Sequence, residues 1–298
     1  MRKTKSDKIF DICNITFMCV ILLIMFYPLY YIVIASFSDP AAVATGKVYL
    51  FPRGLTVEAY ENVFDNERIW TGYRNTIIYT VFGTALNLIL TIPTAYVLSK
   101  KTLKGRNIIS WYFLIPMYFG GGLIPTYLLV KDLNLLNRPY TIIILGGLSV
   151  YNMVVARTYF SSSIPEELYE SARIDGAGDF VCFFKIALPL AAPITAVLVL
   201  YYGVGRWNDY YTSLIYVGQS EYQPLQLVLR SILIENESSM VYADSMTENE
   251  LLLATRRAYM AEAMKYSVIF IASAPLLAAY PFVQKYFVKG MMVGSLKG

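Results

Sequence analysis

Residues 167–189 read ELYESARIDGAGDFVCFFKIALP, a polar passage between two apolar segments of the chain. The acidic residues at its start favour the positive end of a helix dipole. Gly176 permits a sharp bend before a second, apolar helix from Phe180 to Ile186. The stretch therefore predicts a compact helical hairpin that presents Glu170 and Arg173 at its surface.

The composition of the chain sets the environment of this hairpin. The 298 residues are 56% hydrophobic and only 15% charged, with a mean hydropathy of +0.48. A soluble domain would carry roughly a quarter charged residues. Apolar runs of about 20 residues, the length that crosses a bilayer as a helix, recur along the sequence. The runs are continuous and do not alternate, which disfavours a membrane β-barrel. We therefore expect an all-α polytopic membrane protein.

Six apolar runs predict six transmembrane helices, which place both termini on one side of the membrane. The first run follows a basic N-terminal segment and is interpreted as a retained anchor, because it is too long for a signal peptide and has no small-residue cleavage site. Lysine and arginine concentrate on the side of the termini, which identifies that side as the cytoplasm. The polar hairpin falls on the same side, whereas the two long opposite loops are mixed or acidic. The predicted spans cover approximately residues 9–35, 73–98, 108–130, 140–160, 186–206 and 267–288.

This topology divides the chain into three parts. Residues 1–72 form an anchor helix and an extracellular loop, residues 73–288 form the main transmembrane domain, and residues 289–298 form a cytoplasmic tail. The main domain contains a core of five helices, the polar loop at 165–189 and an extracellular loop at 208–265.

The residue types that are missing exclude several classes of chemistry. The chain has no histidine, so histidine bases and histidine metal ligands are absent. Its three cysteines show no metal-binding spacing, and no G-x-x-x-x-G-K-[ST] phosphate loop occurs. We therefore predict no catalytic residue, no metal ligand, no ATP site and no nucleic-acid partner. The absence of a carboxylate pair within the spans also disfavours an intramembrane enzyme.

The polar passage resembles a known motif. Glu170, Ser171, Ala172 and Gly176, followed by I-x-L-P at 186–189, stand at the spacing of the EAA loop of binding-protein-dependent ABC transporter permeases. Ser171 replaces the first alanine of that motif. Residues 74–284 resemble the permease domain of type I ABC importers, which have the MetI-like fold.

Three further stretches of sequence resemble one group of permeases within this family. The tail YPFVQKYFVKGMMVGSLKG at 280–298 resembles that of the MalG-like sugar permeases. Residues 36–56 and 73–80 resemble the branch that imports polysaccharides and complex oligosaccharides. The resemblance implies a permease subunit of an oligosaccharide importer, located in the bacterial plasma membrane.

The resemblance also implies partners and contact residues. The expected partners are a second, unlike permease subunit, two ABC ATPase subunits that use ATP and magnesium, and an extracellular, lipid-anchored solute-binding protein. The chain itself would bind no cofactor and would couple ATP hydrolysis to alternating access. The alternative for the tail is a basic end that binds lipid headgroups. The implied contacts with the ATPase are Glu170, Ser171, Ala172, Arg173, Asp175, Gly176 and Ala177 in the loop, and Gly290, Gly294 and Lys297 in the tail.

Arg206 is the main candidate for contact with cargo, because an ionisable residue within a span is a functional hypothesis by default. Relatives usually have a neutral residue at this place, so Arg206 indicates an anionic sugar such as a uronic acid. The alternatives are that Arg206 snorkels to the headgroups or pairs with Asp209. Two alternative functions remain. One is an importer of the same architecture that carries a peptide or a polyol, and the other is a self-contained secondary transporter. The candidate substrate path comprises Arg206, Trp207, Asn208, Asp209, Tyr151 and Asn152.

Overall fold

The computed structural model describes residues 4–238 and 248–295. Within these ranges the chain is made of helices joined by loops and contains no strand. The α-helices are α1 (Lys5–Ser36), α2 (Pro40–Ala44), α3 (Glu58–Phe64), α4 (Glu67–Ser99), α5 (Arg106–Tyr118), α6 (Leu123–Asp132), α7 (Pro139–Ile144), α8 (Val150–Ser163), α9 (Glu167–Ile174), α10 (Asp179–Val181), α11 (Leu188–Leu190), α12 (Ala192–Trp207), α13 (Tyr211–Tyr216), α14 (Leu225–Ser238) and α15 (Glu248–Ser295).

Three helical segments in the described part of the chain are long and apolar enough to cross a bilayer: Asp7–Ser36, Glu67–Ser99 and Leu252–Ala278. Two further pairs of consecutive helices are long and apolar enough to cross a bilayer only when the two members of each pair are taken together. The axes of α5 and α6 differ by 113°, and those of Asp179–Leu190 and α12 differ by 74°. The described residues therefore hold three such helices, or up to five if each bent pair forms one span.

The first two predicted spans lie within α1 and α4, so these predictions are confirmed as long apolar helices. The prediction of one continuous helix at 108–130 was wrong. It is interrupted at Gly120–Gly122, where Gly122 has a φ of +86°. Consecutive glycines make a helix costly because they lose the most backbone entropy, and a positive φ cannot continue a right-handed helix.

The remaining predicted spans are shifted or divided. The segment at 140–160 is shared between α7 and α8, which are separated by residues 145–149. The fifth span begins as α12 at Ala192, after a break at Ala191, and Pro193 occupies the first turn where its missing N–H is tolerated. The sixth candidate span begins earlier than predicted, at Leu252, and lies within α15, which is continuous from Glu248 to Ser295 and contains Pro275 and Pro281.

The chain separates into two compact units. One comprises the described residues up to Glu67 together with Leu229–Ala274, and the other comprises Arg68–Val228 and the described residues from Pro275 onward. In the first unit, the end of α1 packs on the segment around α2, with Ile34, Ala35 and Val48 in a small buried cluster. Most of the apolar surface of α1 is exposed within the chain, as expected of a lipid-facing anchor.

The second unit carries the main core. Buried residues of α4, α8, α9 and the helices between Asp179 and Trp207 form one cluster, in which Tyr96 of α4 is central. The Tyr96 ring lies 5.7 Å from that of Phe160 and 5.0 Å from that of Phe183. This core therefore joins a long apolar helix to the polar passage at 167–189.

Candidate functional site

The passage at 167–189 forms the helical hairpin that its sequence predicts. Helix α9 ends at Ile174, and Gly176 follows with a φ of +83°. The N–H of Ala177 donates to the carbonyl of Ala172 at 2.8 Å, and the N–H of Gly176 donates to that of Arg173 at 3.0 Å. These two bonds define a Schellman motif, which ends a helix with a glycine in the left-handed conformation.

The second arm of the hairpin is a different kind of helix from the one expected. The predicted apolar helix at 180–186 is present, but it begins at Asp179 and contains a π-helical segment from Cys182 to Ala187. Such wide turns are rare and frequently mark functional positions. The sequence offers no local signal for the π segment, because its residues are compatible with an ordinary α-helix.

Five of the predicted ATPase contacts are exposed on this hairpin, whereas Ala172 and Ala177 are half-buried against the core. Arg173 forms an exposed ion pair with Asp179 at 3.5 Å, which joins the two arms. The sequence reading missed two apolar residues beside the turn, Ile174 and Phe180, which are 87% and 81% exposed. Exposed apolar side chains within a charged rim are typical of a docking surface. The exposed predicted residues are Glu170, Ser171, Arg173, Asp175 and Gly176.

The opposite face of α9 is held by one aromatic residue. Tyr169 is 2% exposed, and its ring lies 6.0 Å from the ring of Tyr96. Burial raises the pKa of the Tyr169 hydroxyl, because the ionised form would lose its hydration. Helix α9 thus presents a polar face outward and is anchored to α4 through the packed rings of Tyr169 and Tyr96, whose planes are tilted by 57°.

A cavity of about 610 Å³ lies among α4, α6, α8, α12 and α13. Four residues of the predicted substrate path line it. The predicted path residues Trp207 and Tyr151 do not: Trp207 is buried near Tyr73, and Tyr151 is exposed elsewhere. The predicted residues that line the cavity are Asn152, Arg206, Asn208 and Asp209, and the structure adds Asn87, Thr126, Leu145, Gly146, Ser149, Tyr201, Tyr202, Gly205, Tyr211, Thr212 and Tyr216.

The lining is suited to a hydroxyl-rich ligand. Tyr201 and Tyr211 are exposed and supply aromatic surface to the cavity, which Asn152 and Asn208 also line. An aromatic face packs against apolar C–H groups, while amide and carboxylate groups pair with hydroxyls. This combination matches the two kinds of surface that a sugar ring presents.

Arg206 uses every N–H of its guanidinium within the chain. Nε donates to Asn87 Oδ1 at 3.1 Å, and the other four bonds go to carbonyls in the last turn of α7 and just beyond it. In this conformation no donor remains for a cargo carboxylate, and the guanidinium does not snorkel. The four carbonyls accept at 2.6 Å (Ile142), 2.9 Å (Leu145), 3.2 Å (Ile143) and 3.2 Å (Gly146).

Two residues of α4, Asn87 and Gly83, support the position of the Arg206 guanidinium. Asn87 is fully buried and donates to the carbonyls of Gly146 and Gly147 at 2.7 and 2.8 Å. Gly83, one turn earlier on α4, leaves the space that Arg206 fills, since a Cβ there would lie 2.9 Å from Nε. The charge therefore fixes the turn at 142–147, which forms part of the cavity wall. This role depends on contacts 60 to 119 residues apart, which no local pattern reveals.

The predicted tail contacts fall at the end of the last helix. Gly290 and Gly294 lie within α15, and Lys297 lies outside the described residues. Across 4–238 and 248–295, no group of three or more Asp, Glu, Cys or His residues has the proximity that a metal ion requires.

A chain of apolar helices with a polar cavity and an exposed helical hairpin has the features of a membrane transport subunit. Comparison with known families gives a match over residues 69–293 to the family described as "binding-protein-dependent transport system inner membrane component". The chain belongs to this family. The resemblance inferred from the EAA spacing and the all-α MetI-like permease fold are both confirmed.

Similar proteins span the whole chain. Protein LplC of Bacillus subtilis (strain 168) is 39% identical over 298 residues, which is 100% of this chain and 98% of LplC. The polygalacturonan/rhamnogalacturonan transport system permease protein YtcP of the same organism is 35% identical over 98% of this chain and 100% of its own length. A solved structure, a bacterial ABC transporter involved in the import of the acidic polysaccharide alginate, matches with a TM-score of 0.84 and 34% identity, covering 96% of this chain and 99% of that chain.

Proposed function

We propose that this chain is the permease subunit of an ABC importer that takes up oligosaccharides, and that the hairpin at 167–189 receives the movement of a separate ATPase. The observation that carries the proposal is the shape of the hairpin. A glycine turn joins two short arms, with Glu170 and Arg173 exposed on one side and Ile174 and Phe180 at the end. Membership of the permease family supports it.

The proposed partners follow from this arrangement. Two ATPase subunits bind ATP and magnesium and dock on the hairpin from the cytoplasm, while a solute-binding protein delivers cargo from outside. A second, unlike permease subunit completes the translocation path. This chain itself binds no cofactor and performs no covalent chemistry. Both termini lie in the cytoplasm, as the distribution of basic residues predicts.

The helices supply a route for coupling. Closure of the ATPase moves the hairpin, and the second arm of the hairpin leads through the bend at Ala191 directly into α12, which borders the cavity. Segments that are broken rather than straight, such as α5 with α6, allow rigid pieces to rotate without unfolding. The cavity then faces alternately outward and inward.

The cavity and the relatives both support a carbohydrate as cargo. Tyrosines stand beside amides in the lining, and YtcP is named for polygalacturonan and rhamnogalacturonan transport. Arg206 no longer supports an acidic cargo by direct contact, because its donors are engaged within the chain.

A reconstituted complex tests the proposal. The chain is purified with its partner permease, ATPase and binding protein, placed in liposomes, and assayed for ATP hydrolysis and uptake. We expect pectin-type and other oligosaccharides to stimulate hydrolysis only when the binding protein is present. Stimulation by peptides or polyols instead of sugars would reject the cargo class. Uptake by this chain alone, without ATPase, would reject the importer and favour a secondary transporter.

A further inference from the structure

Lys100 directly follows α4 and lies over the buried face of α9. Its Nζ is 2.9 Å from the centroid of the Tyr169 ring and 5.1 Å from that of the Tyr96 ring. The same atom is 3.6 Å from Oε1 of Glu166, at the start of α9. Only 12% of the Lys100 side chain is exposed, so this contact is largely shielded from water.

The contact has the features of a strong cation–π interaction. An ammonium held over an aromatic face is attracted by the ring quadrupole, and the attraction increases when water is excluded. Burial lowers the pKa of Lys100, whereas the Glu166 carboxylate opposes this and favours the charged form. An ammonium between a carboxylate and two rings therefore connects α4 and α9 through charge as well as packing.

Helix α9 has few other buried anchors. The helix spans eight residues, of which Tyr169 is buried. Ala172 is half-buried and adds a small contact with the core. An isolated helix of this length is unstable in water, so its position depends on tertiary contacts. The exposed side of α9 carries Glu170 and Arg173, which face away from the core.

We infer that Lys100 is a positioning residue that clamps α9 onto the end of α4, so that a displacement of the hairpin by the ATPase moves this long apolar helix instead of being absorbed at the contact. This inference rests on the proposed function, because it concerns how the same hairpin passes its movement into the membrane. It assigns no contact with ATPase or cargo to Lys100.

The Tyr169 hydroxyl provides a sharp control. Within residues 4–238 and 248–295 this hydroxyl is buried and has no hydrogen-bond partner. Tyr169→Phe therefore keeps the ring beneath the ammonium and removes only a hydroxyl that makes no hydrogen bond, whereas Tyr169→Leu removes the ring. Lys100→Arg likewise keeps a cation that stacks on aromatic faces, and Lys100→Met removes it.

Lys101 is the matched control for charge. It adjoins Lys100 in sequence but its side chain is exposed. Lys101→Met removes the same charge from the same loop without touching the rings. A general effect of net charge or of expression would change both lysine variants equally.

The test measures cargo uptake and ATP hydrolysis together in liposomes that contain the complete importer. We expect Lys100→Met and Tyr169→Leu to lower the number of cargo molecules moved per ATP by about fivefold or more, with the ATPase still copurifying. Lys100→Arg, Tyr169→Phe and Lys101→Met should stay close to wild type. The double variant Lys100→Met/Tyr169→Leu should be no worse than either single variant, because both remove one contact.

Several outcomes would overturn the inference. Normal uptake per ATP in Lys100→Met would show that the contact of Lys100 with Tyr169 is not needed to pass the movement of the hairpin to α4. Equal damage from Lys101→Met would attribute the effect to charge alone. Loss of ATPase copurification in Lys100→Met would assign the residue to folding instead of coupling. A wild-type complex that shows no ATP-driven uptake would instead reject the proposed function, which keeps the two failures distinct.

Discussion

At the residue scale, Arg206 shows how a membrane helix accommodates a charge through hydrogen bonds to other parts of the chain. Its guanidinium donates to four carbonyls at and beyond the end of α7 and to the side chain of Asn87. The last carbonyls of a helix carry the negative end of its dipole and have no partner within the helix. Arg206 therefore supplies donors to the carbonyls of Ile142, Ile143 and Leu145, whereas the carbonyl of Gly146 also accepts from Asn87.

A substitution at Arg206 separates the role of its shape from that of its charge. Lysine keeps the charge but has three donors on one atom, which cannot reach Asn87 and the turn at 142–147 together. We expect Arg206→Lys to lose most of the uptake and to destabilise the chain by about 1–3 kcal/mol for each buried group left unpaired. Thermal unfolding of the purified complex and sugar uptake are the two measurements.

Arg138 supplies the control for this prediction. It lies at the start of α7, is exposed, and precedes the same turn. Arg138→Lys should change neither measurement. Full activity in Arg206→Lys would show that charge suffices, and would restore the hypothesis that Arg206 attracts an acidic cargo.

At the scale of elements, the hairpin depends on a single backbone conformation. Gly176 has a φ of +83°, and a Cβ placed there would meet no atom within 4 Å. Any cost of substitution is therefore backbone strain and not a steric clash with neighbours. Gly178, two residues further on, also has open space but a φ of −75°.

This difference gives a matched pair of variants. Gly176→Ala should cost about 1 kcal/mol, because a residue with a Cβ resists the left-handed region. Gly178→Ala should be nearly neutral. We expect Gly176→Ala to reduce cargo-stimulated ATP hydrolysis by altering the angle between the two arms, and ATPase assays on the reconstituted complex measure this. Equal rates for both variants would contradict a role for the turn in coupling.

The helices themselves differ in how they maintain their direction. Helix α4 runs unbroken for 33 residues despite Pro93, whereas α5 and α6 are separated by consecutive glycines and bent by 113°. Short pieces such as α7 and α9 depend on side chains from other parts of the chain, Arg206 in one case and Lys100 in the other. Tertiary contacts thus decide the positions of the segments closest to the two candidate sites.

At the scale of the whole molecule, the testable property is the orientation of the chain in the membrane. In a chain whose native cysteines are replaced, Glu170→Cys places a thiol on the exposed face of α9, and Glu221→Cys places one in the predicted extracellular loop. We expect an impermeant maleimide to label Cys at position 221 in intact cells and Cys at position 170 only in inverted vesicles. The positive-inside distribution is the physical reason.

Labelling of position 170 from outside intact cells would invert the topology and remove the hairpin from reach of any cytoplasmic ATPase. Each labelled variant must retain uptake, which shows that the cysteine has not disturbed insertion.

The class of the molecule and the helical hairpin could both be predicted from the amino-acid sequence alone. Apolar runs define the membrane helices because the bilayer demands backbone bonds satisfied within each segment. The turn at Gly176 is equally local, since its Schellman bonds join residues at most five apart. Such features depend on composition and short spacings, which a sequence displays directly.

Which polar residues share the cavity could not be predicted from the sequence. Asn152, Asn208 and Asp209 share a cavity, whereas Trp207 and Tyr151, which are adjacent to them in sequence, point elsewhere. The sequence predicts Arg206 as a cargo ligand, whereas its five N–H groups donate to acceptors 60 to 119 positions away in the chain. The physical reason is that a hydrogen bond between distant segments depends on how helices pack, and packing is a property of the whole fold that no local pattern encodes.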